Sequence, residues 1–379
     1  MASCWTYCSA VALLLSVFPT FSFAQTPQES IDVPIAPRVD TTDADVKQVY
    51  QLWRSYLRSR PDSVYDNPHW SEEEKERYAD FDISRRWTYG YEVGGRSIHE
   101  TYGLKPRVLS IERQDSLYAI RTLYAPDDLA HAQEIYSLQR VYAGKENGAW
   151  KLYNALSVRT KDWNRARAGA LRYIYPPGHT LNEKAAERSA AFVDSLEQAY
   201  DLPETEPITY YVARSYDEMA RISGLDYAWD GNDGRAYLVN RQIFVGTASA
   251  SYPHELVHMV FADYDLHPLI SEGLATYLGG IGDQSFHELV ADVDQRVQQN
   301  DLTLERMISG RGVRARTRYV GGAVLVKAAD EDGNETLTTF LSLANSKSGI
   351  FEAMEQVLGV EREEASGFWQ QKLREYSRQ

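Results

Sequence analysis

The sequence predicts an α+β protein built in two unlike parts, and three observations point there. Between residues 87 and 159 lie strand-like runs rich in Tyr, Val and Ile, separated by glycine-bearing turns and preceded by two helical patterns. From Glu183 onward helix and strand patterns mix, and from Pro253 to Gln379 the periodicity is almost wholly helical. Charge divides along the same line: residues 25–165 hold 20 basic and 22 acidic residues, residues 166–379 hold 20 and 32. A length of 379 residues with 43% hydrophobic and 25% charged residues allows two cores and excludes a disordered polymer or a collagen-like fibre. The net charge of −14 argues against a nucleic-acid binder that works by neutralising phosphates.

Residues 1–24 carry no Asp, Glu, Lys or Arg, and an apolar run from Ala10 to Phe18 leads to Ser22-Phe23-Ala24. This reads as a signal peptide cleaved before Gln25, with export to the periplasm or the medium expected. The alternative, a membrane anchor, needs a longer unbroken apolar run of about 20 residues. Cys4 and Cys8 both lie in this segment, so the mature chain has no disulfide. No later stretch is apolar enough to span a membrane, and residues 25–40, Pro-rich and aperiodic, read as a linker.

In residues 41–165, Val46, Val49, Trp53 and Leu57 recur at helical spacing up to Pro61. A short helix follows, with Ser71 and Glu74 spaced as a capping box. The strand runs are Trp87–Val93, Arg107–Arg113, Leu117–Tyr124, Glu134–Tyr142 and Trp150–Arg159, with turn signals at Gly94-Gly95 and Gly144–Gly148. Residues 166–379 open with a helix over Glu183–Tyr200, a strand Ile208–Val212 and a helix from Ser215 to Ile222. A β-like stretch Ala236–Val245 precedes a helix starting near Pro253. An α+β lobe thus leads into a helical one.

At that junction stands His254-Glu255-Leu256-Val257-His258. Residues four apart share a helix face, so both imidazoles can reach one ion while Glu255 sits beside them as a general base. Pro253 suits the first helical turn. Fourteen residues after His258 comes Glu272, one turn into a helix that Pro268 begins, and a carboxylate there completes a His₂Glu set. One Zn²⁺ per chain is the natural occupant, being content with two His and a carboxylate while one position stays open. The bland alternative makes these residues satisfied core polar groups. His287-Glu288-Leu289-Val290-Ala291 repeats the letters without the second histidine and reads as ordinary helix surface. Asp230-Gly231-Asn232-Asp233-Gly234 lacks the spacing of a calcium loop and reads as a turn, and Glu72–Glu76 reads as a solvated helix face.

The segments P-H-E-L-V-H and E-G-L-A-T-Y-L-G-G resemble the gluzincins, the peptidase MA-like metallopeptidases with H-E-x-x-H and a downstream glutamate. The resemblance covers roughly residues 170–330. It implies a zincin-like domain over 166–379, with His254, His258 and Glu272 as zinc ligands and Glu255 as base. Tyr319-Val320-Gly321-Gly322-Ala323 resembles the Tyr-x-x-Gly-Ala segment of the aminopeptidase branch, which implies Tyr319 as donor to the developing oxyanion; it reads equally as core. The Gly-Ala-Met-Glu-Asn segment that captures a free amino terminus is absent, and Ala236–Val245, the corresponding stretch, offers Asn240, Arg241 and Gln242 but no glutamate. Thr276 stands where some relatives carry an aspartate that orients a ligand histidine, which leaves Asp263 and Asp265 as nearby candidates. Residues 41–165 resemble a nuclear-transport-factor-two-like (SnoaL-like) cone, with NGAWKLYNALSV as its closing strand. The implied function is a secreted zinc metallopeptidase acting on a peptide or protein substrate through zinc-activated water. The alternative is a catalytically inactive peptidase-like protein that captures a ligand.

Overall fold

Helix α1 (Ala44–Arg58) begins where Asp43 accepts from the backbone N–H groups of Asp45 and Val46. Its inner face buries Val46, Val49, Trp53, Tyr56 and Leu57, and the Trp53 indole donates to Thr122 at 2.9 Å. The computed structural model describes residues 32–59, 67–78, 82–83, 103–126, 136–228, 231 and 233–379. The signal segment with Cys4 and Cys8, the turn at Pro61 and the strand expected over Trp87–Val93 lie outside the described residues. Among those described, the protein is mixed α+β with two sheets.

The first sheet is an antiparallel meander of β1 (Leu104–Gln114), β2 (Leu117–Pro126), β3 (Ser137–Glu146) and β4 (Ala149–Tyr153). The β3–β4 turn is narrower than the Gly144–Gly148 signal suggested. Gly144 stays in the strand, and only Asn147 and Gly148 turn, both at positive φ, as a two-residue hairpin requires. The run read as one strand over Trp150–Arg159 breaks at Asn154 and becomes α3 (Ala155–Arg159). Asn154 ends it because its side chain is engaged sideways: Oδ1 accepts from the Ile83 N–H at 3.0 Å and Nδ2 donates to Glu74 at 2.6 Å.

Glu74 itself corrects the expected capping box. In α2 (Glu72–Arg77) the Ser71 side chain makes no cap bond, and Glu74 turns inward to accept from Asn154 and Ser157. Glu72, Glu73 and Glu76 stay exposed as a solvated face. Residues 34–36, read as linker, are pinned too, since Val108 N–H donates to Pro34 and Ala36 N–H to Val108.

The second sheet has the order β5-β6-β7-β10-β9, from β5 (Asn164–Ala168), β6 (Leu171–Tyr175), β7 (Ile208–Val212), β9 (Gly234–Tyr237) and β10 (Gln242–Val245). Its three central strands are parallel, and each edge strand is antiparallel to its neighbour. The stretch read as one β segment over Ala236–Val245 is thus the β9–β10 hairpin. Helix α4 (Glu183–Tyr200) makes the crossover from β6 to β7 and covers one face through Ala185, Ala186 and Val193. After β7, α5 (Tyr216–Ile222) leads to β8 (Leu225–Ala228), which returns to the first sheet and pairs with β3. There Asp226 meets Arg121, Arg140 and Arg159. Asp32–Gln379 form one compact unit.

The remainder is helical: α6 (Pro253–Val260), α7 (Pro268–Gly279), α8 (Phe286–Asn300), α9 (Leu304–Ser309), α10 (Ala315–Asp330), α11 (Asn334–Leu343), α12 (Lys347–Leu358) and α13 (Ala365–Tyr376). At its centre α10 buries Val320, Ala323, Val324, Leu325 and Val326, apolar on nearly every side because neighbours surround it. The His287-Glu288 pair lies at the start of α8, where Glu288 accepts from the Ser285 N–H at 2.6 Å, a capping role. No helix among the described residues is long and apolar enough to cross a membrane.

Candidate metal centre

Helix α6 starts at Pro253, whose missing N–H costs nothing in the first turn, and its Leu256 and Met259 are buried under the second sheet. That packing turns His254 and His258 the other way, toward α7. There Glu272 Oε2 lies 3.2 Å from His254 Nε2 and 3.8 Å from His258 Nε2. The three residues expected to bind one ion therefore converge, with one ligand atom from each lying within 4.8 Å of the others.

Two glycine contacts set the spacing. A Cβ on Gly279 would lie 2.6 Å from the His254 backbone nitrogen, so the end of α7 can approach the start of α6 only without one. Gly273 faces Gly322 of α10, and neither has room for a Cβ against the other helix's backbone. This crossing brings Tyr319, one turn before Gly322, to the same site as Glu272. The Tyr319 ring lies against His254, with centroids 6.1 Å apart and planes 27° from parallel.

The far nitrogens of both histidines are held. His254 Nδ1 lies 2.8 Å from the Gly280 carbonyl, which can only accept, so Nδ1 carries a proton and Nε2 is the nitrogen turned to Glu272. His258 Nδ1 lies 3.2 Å from the Ser271 hydroxyl. These partners take the orienting role that Asp263 and Asp265 were candidates for; both aspartates are exposed. Thr276 is fully buried in α7.

The electrostatics of the triad couple its carboxylate to the two imidazoles. Burial alone would raise the Glu272 carboxyl, but the hydrogen bonds and charges of His254 and His258 outweigh it and hold it at about 2. Burial presses on the His254 imidazolium, yet Glu272 and Glu255 together lift its pKa above the ordinary value. Glu255 is buried beside the triad, and desolvation raises its carboxyl despite the opposing pull of the histidines and of Arg235. Its carboxylate packs on the edge strand β9, where a Cβ on Gly234 would come within 3.0 Å of Oε1.

A cleft of about 530 Å³ opens over the triad. Its walls are β9 with its following turn (Gly234 to Leu238) on one side and α10 (Ala315, Arg316, Tyr319) on the other. Tyr252 also lines it, its hydroxyl pushed up to about 12 by burial and by Glu255, Asp233 and Asp283. Asn240 and Arg241 belong to the far turn of the β9–β10 hairpin, where Arg241 reaches Glu206, and Gln242 is buried in β10. Sequence reasoning missed Ser271, Gly280, Gly234, Arg235 and the Gly273–Gly322 crossing. The signal for the last was present as G-L-A-T and V-G-G-A, with Gly273 directly after Glu272 and Gly322 one turn after Tyr319. Compared with known protein families and with characterised proteins, the chain matches none.

Proposed function

We propose that this protein is a zinc-dependent metallopeptidase, exported by its first 24 residues, with one Zn²⁺ held by His254, His258 and Glu272. One observation carries the proposal: both Nε2 atoms and a carboxylate oxygen meet at separations of 3.2 and 3.8 Å. Three ligand atoms placed tetrahedrally at 2.0–2.1 Å from one zinc ion stand about 3.3 Å apart, so the donor set fits in both chemistry and spacing. A zincin-like identity for the second sheet and the helical lobe is part of the same proposal, as is a cone-like domain for the first sheet. Zinc, when bound, supplies a Lewis acid that polarises a carbonyl and makes water easier to deprotonate.

This chain's own groups do the remaining work. Glu255, raised by burial, takes a proton from the attacking water and hands it to the leaving amine nitrogen as the peptide bond breaks. Tyr319, on the opposite wall, donates a hydrogen bond from its hydroxyl to the oxygen where charge develops. The edge strand β9 offers an extended peptide its backbone along the cleft.

The test is Glu255→Gln. The amide keeps the shape and loses the basicity, so zinc by emission spectroscopy should stay at one per chain. Cleavage of unfolded protein substrates should fall by about 10²–10⁴. A wild-type chain that binds zinc and peptides yet cleaves none would replace this proposal with a ligand-capturing protein.

A further inference from the structure

Resting on the peptidase proposal, the charge of the cleft walls speaks to its substrate. The second part of the chain carries 32 acidic and 20 basic residues, yet the rim of the cleft reverses that sign. Among the described lining residues, the ionisable groups besides the triad, Glu255 and the tyrosines are Arg235 on β9 and Arg316 on α10. They stand on opposite walls. Asp233 and Asp283 lie near enough to act on Tyr252 but do not line the cleft.

Arg316 is the more telling of the two. It precedes Tyr319 by three residues, so both side chains project from one face of α10. It is exposed, and its partner is the neutral side-chain amide of Gln284. Among the described residues it makes no ion pair, and the sequence places no acidic residue between Glu305 and Asp330 to neutralise it, its charged neighbours being Arg311, Arg314 and Arg318. A guanidinium kept unneutralised beside a hydrolytic centre presents a planar fork matched to a carboxylate. Arg235, half-buried and within range of Glu255, adds positive potential from the other wall. With Glu255 and Glu272 committed to the chemistry, nothing else among the described lining residues would repel an anion.

We propose that the cleft selects peptides bearing a carboxylate close to the scissile bond, held by Arg316. The carboxylate can belong to an internal Asp or Glu side chain or to a free C-terminus. Both present the same two oxygens.

The experiment uses the zinc-loaded full mature chain and fluorescein-labelled degenerate heptapeptides. Amidated sets carry Glu, Gln or Lys at one fixed position, and a fourth set carries Gln with a free C-terminal carboxylate. The expected result is kcat/KM about tenfold or more higher for the Glu or the free-acid set than for amidated Gln, the scale of one charge-assisted hydrogen bond. Which of the two sets leads identifies the source of the carboxylate. In Arg316→Gln the ratio should collapse toward one, and in Arg316→Glu it should invert in favour of Lys. Arg296→Gln, an exposed arginine paired with Asp292 away from the cleft, should keep the wild-type ratio. A wild-type ratio near one, or a ratio that survives Arg316→Gln, overturns the inference and leaves the peptidase proposal standing. If no set is cleaved, fluorescence anisotropy of the same sets on Glu255→Gln decides. A tenfold affinity preference that depends on Arg316 then upholds the inference while the peptidase proposal falls, and equal affinities overturn both.

Discussion

Two polar clusters tie this molecule together across long stretches of sequence, and they are built on opposite plans. At Asp226, arginines surround a single carboxylate: Arg140 from 2.6 Å, Arg121 at 3.0 Å and Arg159 at 3.5 Å. The carboxylate has as many lone-pair sites as it is offered N–H groups, so the cluster is complete as it stands. At His254, His258 and Glu272 the balance runs the other way. Each far nitrogen of the imidazoles already has a partner, and the near ones crowd one carboxylate oxygen. With both imidazoles neutral, their near nitrogens and the carboxylate form a group that could hold a metal ion. Convergence of charged residues alone therefore does not single out a candidate site. Acceptors that converge without a fixed cation among them do.

The largest expected effect tests the metal side of that contrast. His258→Ala removes one of three protein ligands, so zinc by emission spectroscopy should fall from one per chain to near none. Asp226→Asn should leave zinc untouched. A His258→Ala protein as zinc-rich as wild type would reduce the triad to a satisfied core cluster.

The next effect is on how the site is positioned. Gly273→Ala puts a methyl group into the backbone of α10 at Gly322, and no flexible side chain is there to give way. Overpacking of this kind costs roughly 1–3 kcal/mol, and here it also pushes Tyr319 away from His254. Urea unfolding should show the loss, with kcat reduced more than the metal content. Unchanged stability would mean that the crossing is looser than the glycines imply.

The two clusters also differ in how well the sequence announces them. A five-residue motif on one helix placed two candidate ligands and the proposed base, because a helix repeats its face every four residues and so converts spacing into geometry. Glu272 followed from the next helix start at Pro268. Nothing comparable announces Asp226. Its partners lie 67 to 105 residues away on β2, β3 and α3, and β8 that carries it is four residues long in a stretch whose sequence points to no element. The parallel pairings β6–β7 and β7–β10 were hidden for the same reason, since pairing across a crossover leaves no local periodicity. Strand β5 and strand β6 carry no sequence signal of their own: Asn164–Ala168 alternates arginines with small residues rather than apolar with polar ones, and it straddles the division drawn after residue 165. Glu74 was misread because a capping-box spacing says where a carboxylate sits in sequence, not whether the protein interior offers it better donors.

Asp226→Asn should weaken the fold by about 2–4 kcal/mol in urea unfolding, since three guanidiniums lose their shared anion in a partly buried place. Burial works against its ionisation, but Arg140 first, then Arg159 and Arg121, hold its carboxyl below the ordinary value of 3.8. A depressed pKa contributes stability that is complete above the unfolded value and lost as pH falls through the folded one. The gap between wild type and Asp226→Asn should therefore be flat from about pH 5 upward and close below pH 4. A gap that persists undiminished at low pH would mean that shape, not charge, holds β8 to β3.

Glu74 gives the smallest effect and the opposite sign. It too is a buried carboxylate with several donors, but burial outweighs them and lifts its pKa above 4.5. Among the described residues no arginine fork closes on it as at Asp226; Arg77 acts only as its weakest stabilising influence. A raised pKa means that the unfolded chain ionises first as pH rises, so stability drains from pH 4.5 until the folded pKa is passed. Glu74→Gln removes that loss. The amide oxygen can still accept from Asn154 Nδ2, while the Ser157 hydroxyl rotates to accept from the new amide nitrogen. Relative to wild type, the variant should therefore gain stability between pH 4 and 7.5, by about 1 kcal/mol or less. Paired urea titrations at the two pH values check this. A variant that instead loses ground as pH rises would show that the ionised Glu74 is favoured by its donors, as Asp226 is, and that the two carboxylates are held by one plan after all.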